Sequence, residues 1–402
     1  MFVARLPLAV FEYALSSRNL RRMFAGCHSR DATLEHHLPR GLQTLFTSPR
    51  IRACPIAPET NEVIRSRAPL RISFCGGGTD VAPYPALYGG CVLSATIERY
   101  AYVSVRNHDA RTIRVHSEDT GHEIVFDPDR PEASSGKLDL AQAIFQRFGA
   151  SAMDCFMHSD APPGSGLGSS SAMIVAFITA LALKTGTHLT TDDVAEFAYA
   201  VEREDLGIVG GMQDQYASAF GGFNFIEFES DGVHVTPLRL SENAIAELHY
   251  HLMLCDTGTT RLSSNIVADQ TAGLIAHNAD VVDGLAALKD MTVTMMRRLL
   301  KGRLMEFGEL LDDAWQFKRR LSRHITSDAI DDLYDSAKRA GAIGGKILGA
   351  GGGGHMLLFV PFDRRNAVRE RVERAGGKVV DFQFDRSGAR AWKVTGDHWT
   401  GS

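Results

Sequence analysis

Pro162-Pro163-Gly164-Ser165-Gly166-Leu167-Gly168-Ser169-Ser170-Ser171-Ala172-Met173 runs directly into Ile174-Val175-Ala176-Phe177-Ile178-Thr179-Ala180-Leu181-Ala182-Leu183. The second part is long, apolar almost all round and free of Gly and Pro, which predicts a buried helix. The alternating glycines let the backbone approach a ligand closely and turn its N–H groups toward it. The serines fall where a helix leaves its first N–H groups unpaired. A Gly-rich loop that feeds a helix N-terminus is an anion site, most often for phosphate. Flexible linkers do not flow into buried helices. A Rossmann turn has GxGxxG after a strand, whereas here GxGxG follows two prolines. A Walker A loop ends in GK[ST], and no lysine follows this loop until Lys184. The stretch therefore predicts a phosphate-binding loop of a non-Walker type.

On the N-terminal side, Pro69-Leu70-Arg71-Ile72-Ser73-Phe74 alternates polar and apolar residues, a strand pattern. It enters a second Gly-rich turn, Cys75-Gly76-Gly77-Gly78-Thr79-Asp80, which carries a carboxylate. Strands are then expected at 89–97, 100–105, 112–115 and 123–126. On the C-terminal side a helix is expected from about Thr191 to Asp205, capped by Thr190 or Thr191 with acids in its first turn. Gly207-Ile208-Val209-Gly210-Gly211-Met212-Gln213-Asp214 presents Asp214 where a short helix can begin. A strand over 223–228 follows, and a strand over 250–255 opens a second half. Helices are expected near 264–300, 303–322, 327–340 and 364–375, and strands near 377–384 and 390–394. Gly351-Gly352-Gly353-Gly354 leave no side chains, so another loop or a ligand can come close before the strand 355–360.

The 402 residues allow about two domains. A hydrophobic fraction of 44% and a charged fraction of 23% are ordinary for a globular protein. A net charge of −5 argues against a nucleic-acid partner, and no apolar run reaches membrane-spanning length. The six cysteines are scattered without a CxxC, so neither a zinc site nor a disulfide framework is indicated, and a reducing cytoplasm is expected. Residues 1–62 carry eight arginines, no lysine and five acids, +3 against −8 for the remainder. They are expected to be a poorly ordered extension.

Three Gly-rich segments occur in the order PxRxxxxGGGTD, PPGSGLGSSSA and KILGAGGGG. Together, over residues 66–395, they resemble the GHMP kinase superfamily. Within it, GGGTD, GGMQDQYA and FDRSGAR are most similar to the D-glycero-D-manno-heptose 7-phosphate kinases. The resemblance implies a two-domain α+β fold, with a ribosomal-S5-like N-terminal ATP-binding domain over 63–245 and a ferredoxin-like C-terminal domain over 246–396. It implies an ATP- and Mg²⁺-dependent enzyme that phosphorylates the anomeric O1 of the sugar phosphate. The alternatives are a fucokinase-type enzyme acting on an unphosphorylated sugar and a non-catalytic sensor on the same fold.

The resemblance also carries residue roles. Pro163, Gly164, Ser165, Gly166, Leu167, Gly168, Ser169 and Ser170 would form the ATP-phosphate loop. Ser170 and Glu202 would hold Mg²⁺, with Glu204 a competitor because the spacing from Glu202 to Asp214 is one residue longer than in mevalonate kinases. Asp214 would take the proton of the sugar hydroxyl, its alternative being a helix N-cap. Arg71 would lie beside Asp214, its alternative being a solvated strand residue. Asp80, with Gly78 and Thr79, would grip the sugar, the alternative for Asp80 being a turn cap. A sugar phosphate needs a cationic clamp, for which Arg261 and Lys318 are the candidates, the alternative for each being a solvated basic residue.

Overall fold

The computed structural model describes residues 62–108, 111–127, 139–149, 152–259 and 263–394, all within the unit Arg52–Ser402. Of the expected N-terminal extension only Glu62 is among them. The strands are β1 (Val63–Cys75), β2 (Gly90–Asn107), β3 (Ile113–Ser117), β4 (His122–Phe126), β5 (Met153–Ser159), β6 (Phe223–Glu229), β7 (Gly232–Pro237), β8 (Leu252–Asp256), β9 (Gly344–Ile347), β10 (His355–Phe359), β11 (Lys378–Val380) and β12 (Arg390–Lys393). The helices are α1 (Tyr84–Tyr88), α2 (Asp139–Phe148), α3 (Ser169–Thr185), α4 (Thr191–Tyr199), α5 (Gln213–Phe220), α6 (Glu242–His251), α7 (Ser263–Ile275), α8 (Ala279–Leu300), α9 (Leu304–Lys318), α10 (Asp328–Ala340) and α11 (Arg365–Arg374).

The first sheet has the order β12-β1-β2-β5-β3-β4, with β6 on β2 and β7 on β6. Its pairs are antiparallel except β3 with β5. The second sheet has the order β11-β8-β10-β9 and is antiparallel. This is the α+β arrangement expected. One strand crosses the expected division, however. Arg390–Lys393 pairs with β1, so the end of the stretch 246–396 belongs to the first sheet.

Several expected elements differ at their ends, each for a local reason. The two strands expected over 89–105 are one strand, β2, because Glu98 and Arg99 form a bulge opposite Pro69 and Leu70 rather than a turn. Gly90–Ala95 pairs with β6, and Ala101–Asn107 pairs with β5. Tyr250 and His251 end helix α6, so the strand starts only at Leu252. The helix expected over 264–300 is broken at Asn278, whose side chain accepts from the N–H groups of Asp280 and Val281 and starts α8. The helix expected to reach Asp205 stops at Tyr199 and continues as a π-turn over Ala200–Asp205. Its start matches expectation, since Thr190 and Asp193 form a capping box.

Strand β1 is buried on both faces from Ala68 to Cys75. The alternation of Arg71 and Ser73 with Leu70, Ile72 and Phe74 therefore does not mark a solvent face. Helices α3, α5, α8 and α9 all pack on this strand. Helix α3 is the buried helix expected, with twelve of its residues buried, and it ends on Gly186 at φ 67°.

Candidate active site

A cavity of about 210 Å³ lies where β1, the N-terminus of α3, the π-turn, α5, α7 and the loop after β9 meet. Its floor is the loop before α3. Gly164, Gly166 and Gly168 have φ values of 81°, 77° and 77°, a left-handed conformation repeated at every second residue. Successive residues of this kind turn backbone N–H groups into one concavity, which suits an anion. Gly164, Gly166, Gly168, Ser169 and Ser170 line the cavity. Ser170 is exposed, whereas the Ser169 hydroxyl donates to Pro162 O at 3.2 Å.

Three residues expected in this loop do not reach the cavity. Pro163 is exposed and is not part of the lining. Leu167 is fully buried as an apolar peg. Ser165 is 2% exposed, and its hydroxyl accepts from Leu167 N at 3.4 Å. The alternation that opens the glycines to the cavity turns Ser165 and Leu167, which lie between them, into the core.

Arg71 comes from the buried part of β1. Its Nε donates to Asp214 Oδ1 at 2.7 Å, Nη2 lies 2.6 Å from the same oxygen, and Nη1 donates to Gly166 O. The Arg71 side chain is 3% exposed and that of Asp214 22%. Asp214 sits in the first turn of α5, whose N-cap position is taken by Met212. Arg71 is thus not a solvated strand residue; it joins the carboxylate to the Gly-rich loop before α3.

Asp80 is 1% exposed. Its Oδ1 accepts from Gly78 N at 2.9 Å, and its Oδ2 accepts from the backbone N and Nε2 of Gln213 at 3.2 and 3.0 Å. Asp80 is therefore both a turn cap and a cavity residue, and Gly78 lines the cavity with it. Thr79 does not. Its hydroxyl donates to the carbonyls of Gly76 and Cys91 and accepts from Cys91 N, so it fastens the turn to β2.

The π-turn presents two consecutive residues to the cavity. π-turns inside helices shift side chains off the helical period and recur at functional sites. Glu202 is 3% exposed, and its Oε2 accepts from Ser171 Oγ at 2.7 Å and Gln215 Nε2 at 2.6 Å. Its Oε1 lies 3.5 Å from Arg203 Nη1. Glu204 is exposed and lies outside the lining. Arg203 donates to Gly211 O and Ile208 O and so holds the strap 207–211 over the cavity.

The two candidate cations fare differently. Arg261 lies outside the described residues. Lys318 is 4% exposed at the end of α9, lines the cavity, and donates to Gly77 O at 3.3 Å and Gly349 O at 3.0 Å. Burial lowers its pKa to about 8, with Arg71 adding to the effect and Asp80 opposing it.

The last Gly-rich segment meets the first loop of the cavity. Gly349 packs against Gly166, and Gly354 packs against Ser165 O and Gly164 O. Sequence reasoning missed Ser171, Gln215, Gln213, Arg203 and Gln270. Ser171 and Gln215 buttress Glu202, and Gln270 donates to Gly78 O at 3.0 Å. For four of them the only signal was adjacency, since Ser171 follows Ser170, Arg203 follows Glu202, and Gln213 and Gln215 flank Asp214; Gln270 had none.

Comparison with known proteins shows the family of the chain. The pattern described as GHMP kinases N terminal domain matches residues 137–222, and that described as GHMP kinases C terminal matches 295–378. A D-glycero-alpha-D-manno-heptose 7-phosphate kinase of Campylobacter jejuni is 34% identical over 340 residues, 83% of this chain and 100% of that protein. The chain belongs to the GHMP kinase family. Among solved GHMP kinase structures, a D-glycero-D-manno-heptose 1-phosphate kinase from Bacteriodes thetaiotaomicron matches with a TM-score of 0.69 and 31% identity, over 83% of this chain and 100% of that one. The galactokinase of Lactococcus lactis, solved with galactose, shares the GHMP kinase fold with a TM-score of 0.67 at 21% identity, over 83% of this chain and 96% of its own. No helix among the described residues is long and apolar enough to cross a membrane.

Proposed function

We propose that this GHMP kinase transfers the γ-phosphoryl group of ATP to the anomeric O1 of D-glycero-D-manno-heptose 7-phosphate, giving the 1,7-bisphosphate in the cytoplasm. The observation that carries the reading is the Arg71–Asp214 pair joined to Gly166 of the phosphate loop, which sets an acceptor for a hydroxyl proton beside a cradle for a phosphate. The heptose assignment is supported by the kinase of C. jejuni, which is similar along its whole length.

Phosphoryl transfer asks little covalent chemistry of the protein; positioning and charge stabilisation supply the rate. Gly164, Gly166 and Gly168 hold the phosphates through backbone N–H groups at the start of α3. Asp80 orients the sugar by accepting from its hydroxyls. Asp214 receives the O1 proton as the O1–phosphorus bond forms and the bond from phosphorus to the β-phosphate oxygen breaks, releasing ADP. Arg71 holds the Asp214 carboxylate through Nε and Nη2 and so aims it. Glu202 and Ser170 are hard oxygen donors on the cavity wall and fit Mg²⁺, since the Glu202 Oε1 is not taken by Ser171 or Gln215. That ion would neutralise charge on the β- and γ-phosphates.

A coupled ADP-release assay with heptose 7-phosphate, mannose 6-phosphate, fucose, galactose and mevalonate tests the reading. Turnover should be confined to the heptose phosphate, and Asp214→Asn should lower kcat by about 10²–10⁴. Turnover of fucose or galactose in preference would overturn the substrate, and an Asp214→Asn enzyme with unchanged kcat would overturn the base.

A further inference from the structure

Lys318 is a buried cation for which the reading above has no task. Its ammonium has three donors, and Gly77 O and Gly349 O accept from two directions. The remaining N–H has no protein partner among the described residues. Lysines are rarely buried so completely without a carboxylate in direct contact.

Its neighbours fix which end of the cavity it serves. Gly349 lies against Gly166, whose carbonyl accepts from Arg71. Gly77 is approached by both Lys318 Nζ and Gln213 Nε2, each 3.4 Å from where a Cβ on Gly77 would stand. Gln213 precedes Asp214 and holds Asp80. Lys318 therefore sits among the phosphate loop, Arg71 and Asp214, where the phosphoryl group changes hands. A clamp for the far phosphate of a seven-carbon sugar would have to stand at the other end of the substrate.

We infer that Lys318 is a further catalytic residue that donates its free N–H to a non-bridging oxygen of the transferring phosphoryl group, and is not the clamp for the sugar's own phosphate. The inference rests on the kinase reading. Lys318 exchanges no proton; its charge stabilises that oxygen as the bond to O1 forms and the bond to ADP breaks.

The charged and titratable groups facing Lys318 are Arg71 and Cys75 from β1, Asp80 from the turn after it, and Asp214 from α5, with Lys346 of β9 behind. Burial and Arg71 lower the Lys318 pKa to about 8. The free enzyme should thus lose its charged form, and with it activity, as pH rises through that value.

The test compares Lys318→Met and Lys318→Arg with wild type by steady-state kinetics, calorimetric binding of heptose 7-phosphate without nucleotide, and pH profiles of kcat/KM. Lys318→Met should lower kcat by about 10²–10³ while the Kd of the sugar phosphate stays near wild type. Lys318→Arg should keep part of the rate and move the basic limb upward, and it serves alone if the Met variant does not fold. A Kd raised tenfold or more with kcat retained would make Lys318 the far-phosphate clamp and overturn the inference. A lowered Tm with unchanged kcat and an unmoved basic limb would reduce it to a structural tie and overturn it as well. If wild type turns over another sugar instead, the substrate reading fails, and the same comparison of kcat, Kd and pH limb on that sugar still decides the role of Lys318.

Discussion

Asp80 shows how a single carboxylate can be held buried at the wall of a cavity. It is buried, and three N–H groups satisfy it, from Gly78 and twice from Gln213. Charge-assisted hydrogen bonds of this kind are stronger than neutral ones and offset the cost of burying the charge. The strap that leads to Asp214 passes directly over it, and a Cβ on Gly211 would overlap Asp80 Oδ2. Gly211→Ala should therefore displace the carboxylate without touching the phosphate loop. The expected outcome is a KM for the sugar phosphate raised about tenfold or more, corresponding to roughly 1.4 kcal/mol, with the KM for ATP nearly unchanged. Steady-state kinetics with each substrate varied in turn checks it, and equal rises in both KM values would count against the assignment of Asp80 to the sugar.

Two Gly-rich loops, one before α3 and one between β9 and β10, form a single structural element in space. Gly354, at φ 79°, would drive a Cβ into Ser165 O, and His355 N donates to that same carbonyl at 3.0 Å. Lys346, in β9 just before the second loop, reaches β1 by donating to Ser73 O at 2.8 Å. Gly349 and Gly354 are thus where one loop lies on the other, whereas Gly351 packs on Ile325 and Gly353 on Thr259. Gly354→Ala should separate them at a cost of about 1–3 kcal/mol, from the left-handed backbone and the clash together. A lowered Tm and a raised KM for ATP should appear in the same variant. A variant with wild-type Tm would show that the loops are not in contact.

Stability against acid should depend on the junction that His355 makes. This residue is 6% exposed, and its Nδ1 lies 2.9 Å from Ser165 O. Burial lowers its pKa below the usual 6.5, only partly opposed by the bond to Ser165. The unfolded chain then takes up the proton first, so stability is full above 6.5 and is lost as pH falls toward the lower folded value. Wild-type Tm should decline below that pH before carboxylates titrate. His355→Gln should start from a lower Tm at about pH 8 and decline less between about pH 7 and 5.5. Parallel curves for the two proteins would remove His355 from the account. Elsewhere the chain closes on itself, since β12 returns to β1 and Asp385 accepts from Tyr100 Oη at 2.9 Å and from Ser387 N at 2.9 Å.

The Gly-rich loop that leads into a helix, the buried helix α3, the α+β class and the placing of Asp214 at a helix start were legible in the sequence. Each follows from local chemistry: alternating glycines, an unbroken apolar run, hydrophobic periods and a glycine-marked turn. The facing of individual side chains was not legible. Ser165 and Leu167 turn into the core while their glycine neighbours open to the cavity, because a left-handed residue at every second position sends the residues between them the other way. Thr79 is spent on holding the turn to β2. Glu202 gains its setting from Ser171 and Gln215, which lie 31 and 13 residues away. Lys318, one of several basic residues at a helix end by sequence, is buried because α9 packs its last turn between Gly77 and Gly349. Local pattern is written along the chain, whereas burial and partnership depend on which distant segments the fold brings against each residue.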